Sequence, residues 1–381
     1  MKCLFSCLFS FISLTYISQG IIPTVDFNNF LVSFENGFFR QIEVQPVSNL
    51  KSGDEFVCYL DTRGNLRIYD GKERKDITLL NAEYEVSDHL MAYKIAGALR
   101  LWDEGKIYNL TNWAMDFAVR DSLVVYQDRR YSSINVYWNK QMIPILTLLN
   151  EVELPSFIGE NILVFKDNSN TYHSFWRGKN YEIGTYNEEN MNFNIGTDVF
   201  CFNDPYSQTF VVFQDGIFTE VESMLAQNFK SGRGFVTYQD VNGNLLYYSN
   251  NDKFQLSNFA PDFTDTKDDI TIWGESNYLF AFVNGEKKQI ANYIPKDYKL
   301  KNNICAFRNI MGGVSAVING RVEEITNFQD AEYEIFGNQV LVKLFNIQLI
   351  SFIKSITYHY HIISGSHWRR YMPPCNECFI W

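Results

Sequence analysis

Residues Tyr84–Trp113 read YEVSDHLMAYKIAGALRLWDEGKIYNLTNW, and this stretch decides the fold. A short entering strand (Tyr84-Glu85-Val86) leads to an apolar inner strand, Leu90–Ile95. Leu99-Arg100-Leu101 then alternates apolar and polar side chains, the period of a half-buried strand. Asp103-Glu104-Gly105 turns the chain into an outer strand.

The same phrases return along the chain. The inner strand is two apolar residues, a small one, an aromatic, any residue, then Asp or Asn. It reads FVCYLD at Phe56–Asp61, LMAYKI at Leu90–Ile95 and LVVYQD at Leu123–Asp128. It returns as ILVFKD at Ile162–Asp167, VFCFND at Val199–Asp204 and FVTYQD at Phe235–Asp240. Weaker copies are ITIWGE at Ile270–Glu275, ICAFRN at Ile304–Asn309 and VLVKLF at Val340–Phe345. The starts lie 34, 33, 39, 37, 36, 35, 34 and 36 residues apart, a repeat of about 36. Interleaved with them are Asn36-Gly37, Asp70-Gly71, Asp215-Gly216, Asn284-Gly285 and Asn319-Gly320. These dipeptides tolerate positive φ at both central positions, as tight hairpins require. No segment carries a 3.6-residue apolar stripe of helical length.

A four-stranded sheet repeated head to tail buries both faces only against its neighbours. Radial stacking does this and leaves short, protected edges. The sequence therefore predicts an all-β protein, a β-propeller of about eight blades, with seven to nine allowed. An open array or two smaller propellers compete with it. Phe30–Phe34 runs into Asn36-Gly37 with no inner-strand phrase before it, and the pattern ends on Val340–Phe345. These two half-units are expected to complete one blade between them.

The rest of the composition agrees. Of 381 residues 46% are hydrophobic and 16% aromatic, including 32 Phe and 23 Tyr, which favours strands. A formal charge of −11 argues against a nucleic-acid binder, which needs a basic field. Lys2, the apolar run Cys3–Ile17 and the small or polar Ser18-Gln19-Gly20 have the three-part layout of a secretory signal. The expected organisation is a signal peptide over 1–20 cleaved near residue 20, a propeller over 21–352, and an irregular tail over 353–381. No other stretch is long and apolar enough to span a membrane. The expected location is the periplasm, the cell surface or outside the cell.

A signal ending in Ser-Gln, followed by tandem units of aromatic-x-Asp and Tyr-x-Asn-Gly-Lys type, resembles secreted repeat proteins of Bacteroidetes-type bacteria. The resemblance covers roughly residues 1–346. It implies export and a propeller-like fold, and it carries no catalytic residue.

Candidate site residues follow from the repeat. Asp61, Asp128, Asp167, Asp204 and Asp240 end successive inner strands, where a ring of carboxylates could hold a cation or sugar hydroxyls. The blander reading is that they start turns by bonding their own backbone. Trp102, Trp138 and Trp176 occupy one equivalent position in successive units and could stack on a ligand, or pack between blades. In the tail, His359-x-His361 and Cys375-x-x-Cys378 offer donors for zinc, or the cysteines a disulfide. Cys58, Cys201 and Cys305 replace Ala and Val in the inner strands, as buried free thiols do. There is no nucleophile elbow, phosphate loop or dinucleotide fingerprint.

The expected function is a non-catalytic binding or scaffolding module for a protein or glycan partner, monomeric and without a cofactor. The rival is a propeller hydrolase or lyase acting on polysaccharide, which would show a deep pocket with paired carboxylates.

Overall fold

The computed structural model describes residues 21–344 except 27, 36–37, 148–152, 187–190 and 319, and beyond them the backbone of strands up to Tyr371. Among these residues there is no helix, so none could cross a membrane. The strands form ten antiparallel sheets. We number the blades in chain order: blade 1, residues 22–46; 2, 48–78; 3, 83–111; 4, 114–147; 5, 157–185; 6, 193–222; 7, 227–257; 8, 263–291; 9, 298–326; and 10, 332–371.

Blade 3 shows how sequence makes a blade. Glu83–Val86, Leu90–Ile95, Ala98–Asp103 and Lys106–Thr111 pair in chain order. The second and third strands meet from Ile95↔Ala98 to Leu90↔Asp103. Glu104 and Gly105 both take positive φ, so the chain turns at once into the fourth strand. A β-bulge at Leu99/Arg100 interrupts the pairing of third and fourth strands. The same bulge recurs at Leu66/Arg67, Tyr172/His173, Leu279/Phe280 and Val314/Ser315. A bulge adds local twist, which suits an outer strand that must rotate away from the inner ones.

Blade number corrects the sequence expectation. Blades 2 to 9 are the eight complete four-stranded units of the repeat. The two terminal half-units do not share a blade. The first builds a three-stranded sheet, Ile22–Val25, Phe30–Glu35 and Phe38–Pro46. The last builds a five-stranded one. The overlooked strand is Ile22–Val25, which lies within Ile21–Asp26, IIPTVD, a worn copy of the inner phrase that ends on its Asp. The tail is not irregular throughout: Ile356–Ile363 and His367–Tyr371 extend blade 10, and residues 372–381 lie outside the described residues.

Ten hydrophobic clusters hold the blades together, one at each seam. Blades 2 and 3, for example, share Phe56, Leu66, Tyr84, Met91 and Trp102. Blades 5 and 6 share Val164, Trp176, Phe200 and Phe213. The cluster of Ile22, Val32, Phe34 and Phe39 with Leu341 joins blade 1 to blade 10 and closes the circle. Each buried Val, Leu or Phe contributes roughly 1.5–3 kcal/mol, so the seams dominate stability. Cys58, Cys201 and Cys305 are free, fully buried members of these layers, and burial pushes their thiols far above the ordinary range.

Candidate interaction face

Because strands alternate in direction, the turns fall on two faces. One face carries the turns from first to second strand, nearest the axis, where the first strands of successive blades approach each other most closely. These turns are short, polar and bonded from blade to blade. Amides of Ile21, Asp54, Thr197, Arg233 and Asp269 donate to carbonyls of Asp54, Asp88, Gly232, Asp268 and Asn302 in the next blade. Side chains complete the circuit. Asp121 Oδ1 accepts the Asp88 amide (3.1 Å), Glu160 Oε2 the Asp121 amide (3.2 Å) and Asp198 Oδ2 the Asn161 amide group (3.1 Å). Asn302 donates to the Gly337 carbonyl (3.0 Å). The approach leaves no room for a side chain: a Cβ on Gly196 would lie 2.1 Å from the Gly232 oxygen, and one on Gly159 2.3 Å from that of Gly196.

Lys301 spans this ring. From blade 9 it reaches past blades 10 and 1 to Asp54 Oδ1 (2.8 Å) in blade 2 and Asp88 Oδ1 (2.9 Å) in blade 3. Burial alone would lower its pKa, but the two carboxylates raise it, so it is held charged. Among the described residues Asp121 has no such ion pair. Burial, with Glu160 and Asp88 nearby, raises its pKa to about 6.

The other face carries the turns from second to third strand and the linkers to the next blade. Here lie the five aspartates singled out from sequence, one per blade, and each serves its own turn. Asp61 Oδ1 accepts the amides of Arg63 and Asn65, and its Oδ2 meets Arg67 at 3.0 Å. Asp128 accepts Arg130 and Tyr131 amides and the Thr111 hydroxyl. Asp167, Asp204 and Asp240 repeat the pattern with Ser169 and Thr171, Tyr206 and Ser207, and Asn242 and Asn244. Although burial opposes it, these donors hold Asp61, Asp167 and Asp240 below the usual carboxylate range.

The three tryptophans pack at seams between blades. Trp102 and Trp176 are buried at seams, against Phe56 (4.6 Å between centroids) and Phe213 (6.0 Å), and Trp176 donates to Asp198 at 2.7 Å. Trp138 is half-buried, with its ring 2.9 Å from where a Cβ on Gly178 would stand in the neighbouring blade. Flat, wide side chains fill the broad outer part of each wedge, which is why they recur at one position. His359 and His361 fall on a strand of which only the backbone is described, and Cys375 and Cys378 lie outside the described residues. Among the described residues no three His, Cys, Asp or Glu side chains stand together as metal ligands.

This face carries exposed apolar side chains in its turns and linkers, recurring where linker and turn are fastened together. The Arg129 amide donates to the Trp113 carbonyl, setting exposed Trp113 beside a turn that carries Tyr131, 66% exposed. Asn203 bonds Ala226 in both directions (2.9 and 3.0 Å), joining Tyr206, 64% exposed, to exposed Met224 and Leu225. Phe259, Ile310 (75% exposed) and Met311 continue the series on blades 7 and 9.

A family model described as a 10-bladed beta propeller domain matches residues 15–358. The chain belongs to that family. No curated protein matches it. Solved structures similar to this ten-bladed propeller are more distant. The computationally designed Ika8 protein is 10% identical, covers 83% of this chain and 96% of its own, and has a TM-score of 0.31. Prp20p from Saccharomyces cerevisiae is 10% identical over 56% of this chain and 75% of its own, at 0.32. Virginiamycin B lyase from Staphylococcus aureus is 16% identical over 59% and 89%, at 0.29. Similarity at that level carries no functional argument. The apolar decoration of the ten-bladed propeller left a mark in sequence that the strand phrases overshadow. Hydroxyl-Asn-aromatic recurs at Thr111-Asn112-Trp113 and Ser257-Asn258-Phe259, just after fourth strands. The hydroxyl caps the linker (Ser257 Oγ accepts the Phe259 amide), so the aromatic is turned outward.

Proposed function

We propose that this ten-bladed propeller is exported, loses residues 1–20, and works in the periplasm, at the cell surface or outside the cell as a non-catalytic binding module. A protein partner docks on the linker face. The observation that carries this reading is the recurrence of exposed Trp113, Tyr131, Tyr206, Met224, Phe259 and Ile310 in the turns and linkers of that face, whereas exposed Ile107, Met142 and Ile217 of the opposite end lie on the outer fourth strands. Scattered apolar residues are ordinary, but a series repeated around one face is what partner surfaces show. Mixed aliphatic and aromatic side chains favour a protein over a glycan, since sugar rings stack on aromatics and gain little from Leu, Ile or Met.

The test is capture from the exporting cell's own secreted and envelope fractions by the mature protein and by Tyr206→Ser/Met224→Ser. We expect one protein species bound saturably by the parent and at least tenfold more weakly by the variant. Equal capture by both, binding on a glycan array instead, or polysaccharide cleavage abolished by Asp121→Asn would each overturn the reading.

A further inference from the structure

Blade 1 differs from the others at the axis. In blades 2 to 10 a first strand lies innermost and pairs with the second. In blade 1 the strand Ile22–Val25 pairs on one side with Phe30–Glu35, and among the described residues no strand pairs with its other side. A cleft of about 510 Å³ opens there. It is lined by Pro23, Thr24 and Val25 from this edge, Leu50 from the first strand of blade 2, and Tyr333 and Phe336 from the first strand of blade 10. A first strand of blade 1 would have these same neighbours on its three sides.

The cleft is neutral. Lys299 pairs with Glu334, Arg308 meets Asp297 at 3.4 Å, and Lys343 stands opposite Glu332 in the sheet. Pro23 lacks an amide hydrogen, and prolines at edges set their nitrogen on the open side. Val25, two residues on, then faces the same way and offers both an amide and a carbonyl.

We propose that this cleft receives an extended peptide from a partner protein, added as the innermost strand of blade 1. The inference rests on the export reading above: with residues 1–20 removed, the chain begins at this edge, so the occupant comes from another molecule. The incoming strand bonds through its backbone to Val25 and the Pro23 carbonyl. Its alternate side chains, uncharged and apolar, lie against Leu50, Tyr333 and Phe336.

The experiment uses mature protein recovered from exporting cells, with its N-terminus fixed by mass spectrometry. It is titrated with the fluorescein-labelled peptide NATYTVSN, which is residues 81–88 of blade 3 with the acids made neutral. Saturable binding on the order of 10 µM is expected, insensitive to salt. The peptide NATYPVSN, which lacks one amide donor, binds at least tenfold more weakly. Val25→Pro and Leu50→Thr in the protein each weaken binding, and the second guards against misfolding of the first. Tyr206→Ser leaves peptide binding unchanged, which separates this cleft from the linker face. Equal affinity for the two peptides, or no saturation by about 1 mM, overturns the inference. So does a mature chain that keeps residues 1–20, since the premise that the chain begins at this edge is then gone, while the linker-face reading still stands.

Discussion

The two faces of this propeller use the same kinds of residue for opposite ends. On the axial face Asp54, Asp88, Asp121 and Asn302 face the next blade, and glycines let the turns touch. On the linker face Asp61, Asp167 and Asp240 cap their own turns and bond within their own blades, and Tyr206, Phe259 and Ile310 stand in solvent. One face fixes the distance between blades. The other ties linkers to turns and carries exposed apolar groups beside those ties. The difference teaches that a side chain's role in a repeat protein is set by which end of the strand it occupies, more than by its chemistry.

Substitutions on the axial face should break the comparison first. Gly196→Ala sets a methyl 2.1 Å from the Gly232 oxygen, and the backbone there must shift. A loss of about 2–4 kcal/mol is expected, read as a lower urea midpoint, and an unchanged midpoint would mean the turns are not in register. Lys301→Met keeps the side chain's length but leaves Asp54 and Asp88 without their cation. About 1–3 kcal/mol should be lost at pH 7. Because Lys301 is raised above its ordinary value of 10.5, its contribution is complete below that pH and disappears as pH rises through the higher folded value.

Asp121 gives a smaller effect of opposite sign. Its folded pKa of about 6 exceeds the ordinary 3.8, so between those values the folded state holds a proton that the unfolded state has released. Stability therefore falls as pH rises through that window. Asp121→Asn, which can still accept the Asp88 amide, should stabilise the protein by about 1 kcal/mol at pH 7, with the gain gone below about pH 4. Thermal melts at both pH values decide it. The linker face should respond least: Ile310→Ser/Met311→Ser is expected to change stability by no more than about 0.5 kcal/mol. A large loss there would show that the face is structural and erase the contrast.

Most of the ring was legible in the sequence. The inner-strand phrase located the second strand of blades 2 to 10, because burial on both faces demands apolar runs such as Leu123–Tyr126. Asp-Gly and Asn-Gly marked hairpins, because positive φ has few occupants. The count failed at the ends. Ile21–Asp26 has Pro23 where other copies have a small residue, and it lies just after the apolar run Cys3–Ile17. Joining the two half-units into one blade followed from that oversight. The tryptophans were legible as a recurring position with ligand stacking and seam packing both open, since one residue type serves equally at a seam and at a surface. The axial circuit was illegible, because Asp54, Asp88, Asp121 and Asp198 sit in turns whose partners are a whole repeat away.

Lys301 has a consequence for how the molecule is made. Its partner Asp54 lies 247 residues earlier in the chain. During synthesis, blades 2 and 3 must wait for blade 9 before that contact can form. Early blades therefore spend a time with one greasy flank bare, set by the rate at which the remaining chain emerges. A helper that shields this flank, or a slow last step in refolding, is the expected signature of a circle whose clasp is threaded late.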